Sequence, residues 1–547
     1  MEARTSHRLA AVATALVLSA SMAACGGGGA GSTAEGPVEV SDANNAGAME
    51  NYSAGETFKA SEPFTVTTLF SDHPNYPFKA DWLFWQEVTA RTGVTMESTI
   101  VPMSDYEQKR SLVVSAGDAP TIIPKTYPGQ ESAFVSSGAI LPVSDYVDLM
   151  PNYQDKISSW GMEDEIDTLK QADGKYYVLP GLHEEVWPDY TLIWRKDVLA
   201  ANGIDEPQTW DAVYDALTQL KAATGQTPFS DRYQGKSLLN VLGAAHGTTA
   251  GWGYGGGVTF NQGEDAYEFS AQTDAYKEMV AYLNKLVTEG LLDPESFTQQ
   301  DDQALQKFRN GNTAVISGNS QDPSAHREIM DQNLGAGNYE IGKGILPGGP
   351  AGDLMTGSRL ENGIMLNATL KDSPNFVATL QFIDWLWYSD EGQEFAKWGV
   401  EGSTYTKDAS GTRTLEPNIT YVWMNPGAPE KLNADYGFSG GNFAYGGTTD
   451  LLQSMFAPEE KEWQQRMAAE REPAPIQPAY PFDDIEREQV TLLQTPLKDF
   501  VEQETLKFAT GQRSMSEWDS FQSDLAGRGV DRYLEMVNTA YERAKNA

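Results

Sequence analysis

Cysteine is almost absent from this chain: Cys25 is the single one among 547 residues. No disulfide can form within it, and a thiolate-rich zinc site is excluded. Histidine is nearly as scarce, with His7, His73, His183, His246 and His326 scattered and no H-E-x-x-H pair, so the metalloprotease helix is excluded too. Basic residues are outnumbered, 39 Lys and Arg against 77 Asp and Glu, for a net charge of −38. Such a surface repels phosphate backbones and anionic headgroups, so no nucleic-acid partner is expected. Long apolar runs are missing. The longest, Leu9 to Ala20, is too short to cross a bilayer as a helix. Neither G-x-x-x-x-G-K-[ST] nor a G-x-G-x-x-G after a strand occurs, so no nucleotide cofactor is expected. A complete D-x-[DN]-x-[DN]-G loop is also missing, and no metal ion is expected.

What is present begins with an address. Arg4, His7 and Arg8 precede the apolar run, and Ser21-Met22-Ala23-Ala24-Cys25 follows it. This is the layout of a signal peptide. Small residues ahead of a cysteine resemble the bacterial lipobox, which implies lipidation of Cys25 over a signal segment of residues 1–25. Residues 26–60, rich in Gly, Ala, Ser and Asn, read as a flexible tether. The expectation is a protein on the extracellular face of a bacterial cell membrane, touching lipid only through the anchor.

The rest is long and apolar enough for more than one core, at 40% hydrophobic and 11% aromatic. Strands alternate with helices. Phe64–Phe70 and Val94–Val101 read as strands, with helices over Ala80–Thr92 and Tyr106–Ala116 and a short buried strand at Thr121–Pro124. This order implies a mostly parallel sheet covered by helices. Asp173-Gly174 predicts a hairpin across Ile166–Leu179. Thr191–Trp194 reads as a strand, and Trp210–Ala223 as a helix with Thr209 as its N-cap. Further helices are predicted at Tyr276–Glu289, Gln303–Asn310, Phe376–Tyr388 and Glu391–Trp398, and a helical tail over Leu497–Lys545 broken near Gly511 and Gly527.

Several blocks resemble a known family. Trp194-Arg195-Lys196-Asp197-Val198-Leu199, then Gly203-Ile204, then Pro207-Gln208-Thr209-Trp210-Asp211, is similar to a block of the extracellular solute-binding proteins of carbohydrate ABC importers. Phe308-Arg309-Asn310-Gly311-Asn312-Thr313-Ala314-Val315 resembles a second block, with Asn312 and Val315 in place of the usual lysine and methionine. Ser389-Asp390-Glu391-Gly392 with Gly399-Val400-Glu401-Gly402 resembles the longer, LipO-like lipoprotein branch, as do Phe508-Ala509-Thr510-Gly511 and Trp518. In the residues' own terms these blocks read as structural devices: Asp197 as a helix cap, Trp210 as a staple between helix and sheet.

The resemblance implies an α/β protein with the type II periplasmic-binding-protein-like fold, two α/β lobes joined by a multi-strand hinge. The expected partition is 61–185 with about 345–400 in the first lobe, and 186–344 with about 401–547 in the second. The implied function is capture of an oligosaccharide between the lobes and delivery to ABC permease subunits, by a monomer that is not an enzyme. Ligands of open α/β sheets sit at the carboxyl ends of strands. The candidate contacts are therefore loop residues: Asp72, His73, Asn75 and Tyr76; Lys125 and Tyr127; His183, Glu184 and Trp187; His246, Trp252 and Tyr254; Asn319 and Gln321; and Arg359; with Trp423 and the Phe443-Ala444-Tyr445 stretch as weaker candidates. Flat rings stack on the C–H faces of a sugar while charged and amide groups bond its hydroxyls. A cell-surface glycoside hydrolase would need two suitably spaced carboxylates, for which Glu184, Glu185 and Asp72 are available. A sugar-sensing lipoprotein is the other alternative, and a peptide ligand stays open.

Overall fold

The computed structural model describes residues 37–546, so the signal segment and Cys25 lie outside the described residues. All elements below belong to the body that begins at Val40. The strands used here are β1 (Phe64–Asp72), β2 (Val94–Pro102), β3 (Ile122–Thr126), β4 (Leu179–Trp187), β5 (Thr191–Arg195), β6 (Val315–Gly318), β7 (Ile341–Lys343) and β8 (Ser358–Leu366). They form two separate sheets, β2-β1-β3-β8-β4 and β6-β5-β7.

The first sheet is mixed. β1 runs parallel to β2 and β3, as the alternating helices require, but β8 pairs antiparallel with both β3 and β4. A strand that arrives from the far end of the sequence is free of the crossover rule that makes consecutive strands parallel. The predicted hairpin over 166–179 is not formed. A turn does close at Asp173-Gly174, with Gly174 at φ 76° and the Gln171 N–H donating to the Lys175 carbonyl at 2.7 Å. Ile166, however, lies in the short helix Glu163–Asp167, and β4 takes β8 as its partner.

The core side of each element follows from its alternation. In β5, Leu192 and Trp194 point into one core with Trp210, Leu217 and Phe508. Ile193 points to the other face, against Phe308, Ile316 and Ile341. Trp210 opens a helix, Trp210–Thr224, whose N-cap Thr209 accepts from the Ala212 N–H at 3.2 Å as expected. Asp197 does not cap; it forms a fork with Arg195 at 2.7 and 2.8 Å instead. On the first sheet, Leu69, Val101, Ile123 and Met365 form a smaller core.

The helix Phe376–Tyr388 has every residue buried. Its Asp384 carboxylate accepts from the N–H groups of Asn152 and Tyr153, at 3.0 and 2.8 Å, and so caps the helix Pro151–Trp160. The tether expectation fails next to this helix. Phe58 is fully buried against Phe382, with centroids 6.3 Å apart. The Met49 N–H donates to the Gln381 side chain at 2.9 Å, and the Ala46 N–H to the Pro374 carbonyl at 2.9 Å. Tyr52 meets Phe58 edge-on at 6.0 Å, and these two rings dock the stretch on an apolar helix.

The expected assignment of everything after residue 401 to the second lobe also changes. Phe438 and Phe443 pack on Phe84, at 5.8 and 5.0 Å, and the Lys125 N–H donates to the Tyr445 hydroxyl at 3.0 Å, all first-sheet partners. From Pro458 onward the contacts turn to the second sheet: Trp463 Nε1 donates to the Gly344 carbonyl at 2.8 Å. The long helix Asp484–Ala509 and the helix Val530–Lys545 complete that core.

Candidate functional site

Strands β4 and β8 end side by side, Ser358 opposite Trp187. Three residues, 188–190, then carry the chain from β4 of one sheet to β5 of the other. A cavity of about 370 Å³ opens at this crossing. Its first wall comes from the first sheet and what packs on it: Trp187, Glu361, Lys397, Tyr421, Trp423 and the 439–441 turn. Its second wall is Ser320, Gln321 and Ser324, which follow β6, with Glu460 from the helix Pro458–Glu470.

Aromatic rings form the inner face. Trp187 leans on His183 and Phe456, both at 5.3 Å. Its indole N–H is buried without an acceptor, a state that costs about 1–3 kcal/mol unless a partner arrives. Trp423 is 36% exposed and donates to the Met455 carbonyl at 3.0 Å. It sits on a tight turn closed by Tyr421 and Met424. Beside it Val422 is 59% exposed and has φ 50°, a left-handed conformation that strains a β-branched residue and marks functional loops.

Charged groups line the rest, each with a partner. The Glu361 carboxylate meets His183 Nε2 at 3.0 Å and accepts the Gly446 N–H at 2.9 Å. Burial works to raise this carboxyl, but those two bonds and the nearby Lys397 hold it below the usual range. Lys397 donates to the Ala444 carbonyl at 2.7 Å. Burial lowers its pKa to about 8 against the pull of Glu361. Across the cavity Glu460 pairs with Lys343 at 2.8 Å, both 3% exposed in their side chains.

Lys125 and Tyr76 stand just behind Gly441, their side chains joined at 2.7 Å. Lys125 holds a left-handed backbone, φ 56°, and burial pushes the Tyr76 hydroxyl up to about 12. His73 stacks flat on Tyr76, ring centroids 4.6 Å apart.

Of the sequence candidates, Trp187, Gln321 and Trp423 therefore line one cavity, with Tyr76, Lys125 and His183 in contact with its lining and His73 one layer further back, on Tyr76. Asn319 precedes Ser320 of the second wall, and its side chain donates to the Tyr190 hydroxyl at 3.3 Å. The others lie elsewhere. His246 is buried in its helix, its Nδ1 2.8 Å from the Leu242 carbonyl. Tyr254 belongs to the second core. Arg359 is held by Glu165 at 3.0 Å and the Trp160 carbonyl at 2.7 Å. Glu184 accepts the Thr449 N–H at 2.8 Å, and Asp72 the Phe78 N–H at 2.8 Å. The Asn75 N–H turns back onto His73 Nδ1 at 3.0 Å. Tyr127 is 52% exposed on the loop after β3, and Trp252 belongs to a different hollow. Polar residues after strands are as often spent on shaping the loop as on a ligand. Of the weaker stretch, Ala444 lines the cavity, while Phe443 and Tyr445 are buried beneath it. Lys397, Tyr421 and Phe456 were not legible as site residues, since the first lies in an amphipathic helix and the others in loops that follow no strand of either sheet. Among the described residues no cluster of His, Cys, Asp or Glu could hold a metal ion.

This architecture has known counterparts. The model of the bacterial extracellular solute-binding proteins matches residues 76–394. The chain belongs to that family. The solute-binding protein is 22% identical over 534 residues to the fructooligosaccharide ABC transporter substrate-binding protein FusA of Streptococcus pneumoniae, covering 91% of this chain and 94% of that one. The fold matches the solved structure of FusA in complex with kestose, with a TM-score of 0.61 and 19% identity over 88% of this chain and all of the other. It matches equally an HMO-binding, ABC-transporter-associated solute-binding protein from Bifidobacterium longum infantis, with a TM-score of 0.64 and 18% identity over 88% and 99% of the two chains. The α/β, periplasmic-binding-protein-like fold is thus that of the solute-binding family. Among the described residues no helix is long and apolar enough to cross a membrane.

Proposed function

We propose that this solute-binding protein captures an oligosaccharide in the cavity beside Trp187 and hands it to the permease of an ABC importer. One observation carries the reading. The cavity lies between elements of the two sheets, and combines the rings of Trp187, Tyr421 and Trp423 with polar groups held in place by hydrogen bonds, Glu361, Lys397 and Glu460. Rings stack on sugar C–H faces, and a carboxylate or ammonium held in place bonds hydroxyls more strongly than a neutral group. Trp187, Trp423 and Tyr421 serve as the stacking surfaces. Glu361, Gln321 and Lys397 serve as the hydroxyl partners. The kinship with FusA supports a carbohydrate in particular.

In this reading residues 40–187 and 358–456 form one lobe, and 188–357 and 458–546 the other. The lobes close over the ligand, which contacts both only in the closed form. The closed monomer then docks on the permease, with lipidated Cys25 holding it to the membrane outside the cell. The cleft carboxylates face bound sugar as hydrogen-bond acceptors, not as the acid and base of a hydrolase.

A thermal-shift screen of the full chain against neutral and uronic oligosaccharides tests this. Ligand at a hundredfold over Kd stabilises the native state by about 2.7 kcal/mol, which raises the melting temperature. Chromatography of the same mixtures should return the sugars uncleaved. A screen without a shift for any sugar, or with sugar turned over, refutes the reading.

A further inference from the structure

A second cavity, of about 460 Å³, shares no lining residue with the one beside Trp187. One wall is the 164–174 segment of the first lobe. The other is second-lobe chain, Pro478 and Pro481 with Arg543 and Lys545 of the helix Val530–Lys545.

Gln171 lies on the first wall and is buried. Its carboxamide is bonded on both sides. The N–H donates to the Glu131 carboxylate at 3.0 Å, and the oxygen accepts the Ser132 hydroxyl at 2.9 Å. The Ser132 carbonyl accepts from the Arg487 guanidinium at 2.6 Å. Arg487 belongs to the helix Asp484–Ala509, whose Val490, Leu497 and Val501 sit in the second core. A path of hydrogen bonds thus runs from a buried first-lobe acid to a second-lobe cation.

Glu131 is 0% exposed. Donors reach it from the Gly129 N–H, at 2.7 Å, and from Gln171. Both are neutral and both belong to the first lobe. Burial without a bonded cation penalises the charged form and pushes this carboxyl up to about 7, against the nearby charge of Arg487. The other charges around the network have partners of their own. On the first lobe Arg110 is held by Glu107 and the Gln130 side chain, Lys170 by Asp167, and Lys175 by Asp145, while Asp173 accepts the Tyr177 hydroxyl. On the second lobe Asp484 lies 3.4 Å from Arg487.

Lobe movement therefore reaches Glu131 through Arg487. Opening withdraws that cation and leaves the first-lobe bonds in place, so the carboxyl holds its proton more tightly. Closing returns the cation and favours the carboxylate.

We propose that this path is a latch between the lobes whose strength follows the charge of Glu131, so that closure on a sugar expels a proton from that carboxyl. This rests on the lobe-closure reading above. By linkage, a proton lost on closing makes the closed form, and with it sugar binding, stronger as pH rises through about 7.

Calorimetric titration of the full chain with the oligosaccharides that it binds, at pH 7 in buffers of different ionisation enthalpy, counts the protons released. If withdrawal of Arg487 raises the proton affinity of Glu131 about tenfold, closure releases about 0.4 of a proton at pH 7, and affinity rises about fivefold from pH 6 to pH 8. Lys397 in the sugar cavity titrates in the same range, so the difference between wild type and Glu131→Gln, which keeps Lys397, is the quantity to read. Arg487→Gln should abolish the same fraction of a proton, and the double variant should lose nothing further. Small-angle scattering gives a readout without sugar: free wild type should be more compact at pH 8 than at pH 6, and free Glu131→Gln should be the same at both. Equal proton release by wild type and Glu131→Gln, or a free wild-type chain whose radius of gyration does not fall with pH, overturns the latch and leaves the sugar site intact. Failure of wild type to bind any sugar overturns the oligosaccharide reading, and the scattering alone then decides the latch.

Discussion

Trp187 is the residue on which the proposed binding site turns. Its ring is fixed by His183 and Phe456, and its N–H has no protein acceptor. Trp187→Ala should raise Kd for the bound sugar at least tenfold, since it removes both a stacking surface and a buried donor. Titration calorimetry reads this, and Kd within twofold of wild type would remove Trp187 from the site. A different residue governs the response to pH. Glu131 is fully buried. Burial pushes its carboxyl up to about 7, against the Gly129 N–H and the charge of Arg487. A carboxyl whose pKa is raised by folding holds its proton longer in the native state than in the unfolded chain. Its contribution is therefore present in acid and is lost as pH climbs from the ordinary carboxylate range through about 7, at a cost on the order of 3 kcal/mol. Asp231 and Asp384, each pushed up to about 6 by burial, add a slope of the same sign. The difference between wild type and Glu131→Gln is thus the quantity to measure. Urea denaturation should show the variant losing less stability than wild type between pH 5 and 8, and parallel curves would refute the assignment.

At the scale of elements, local signals and distant partners divide the work. The Thr209 cap was legible because Ser and Thr before an amphipathic run have one common use, and Thr209→Ala should cost about 1 kcal/mol in denaturant unfolding. The helix Phe376–Tyr388 was legible to the residue, since a run so apolar has no other home. The pairing of β8 was not. At Gly363 the strand approaches β4 so closely that a Cβ would lie 1.9 Å from the Leu179 carbonyl oxygen. Gly363→Ala should therefore destabilise by about 3 kcal/mol or more, because the clash is with backbone and no rotamer relieves it. A melting temperature within a degree of wild type would contradict that close approach. Nothing near Gly363 in the sequence points to Leu179, so this contact could not be read locally. The failed hairpin at 166–179 has the same origin: Asp173-Gly174 turns as predicted, but β4 gains more by pairing with β8 than with its neighbour.

For the whole molecule, the proposed closure requires motion of one sheet relative to the other. One contact that opposes opening can be named. Arg487, from the helix that completes the second core, donates to the Ser132 carbonyl on the first-sheet side at 2.6 Å. Arg487→Ala should shift the ligand-free chain toward the open form. Small-angle scattering should show a larger radius of gyration for the free variant than for free wild type, and the same compact particle for both with sugar bound. No compaction of wild type on sugar binding would end the closure scheme.

The sequence by itself determined the class of the molecule. Alternating β and α segments, the Trp194–Asp211 and Phe308–Val315 blocks and the dearth of catalytic or nucleotide motifs were local properties, and local properties survive folding unchanged. It also pointed to Trp187 and Gln321, because rings and amides in loops after strands have little packing to do. Only the tertiary structure decided which of these meet. Trp187 and Gln321 come to one cavity from two sheets, Lys397 and Tyr421 arrive from segments more than two hundred residues later than Trp187, and Arg359 and His246 are diverted to structural bonds. A cleft is made of residues distant in sequence, and their distance is settled by which strands pair and which helices share a core, terms no single stretch of chain contains.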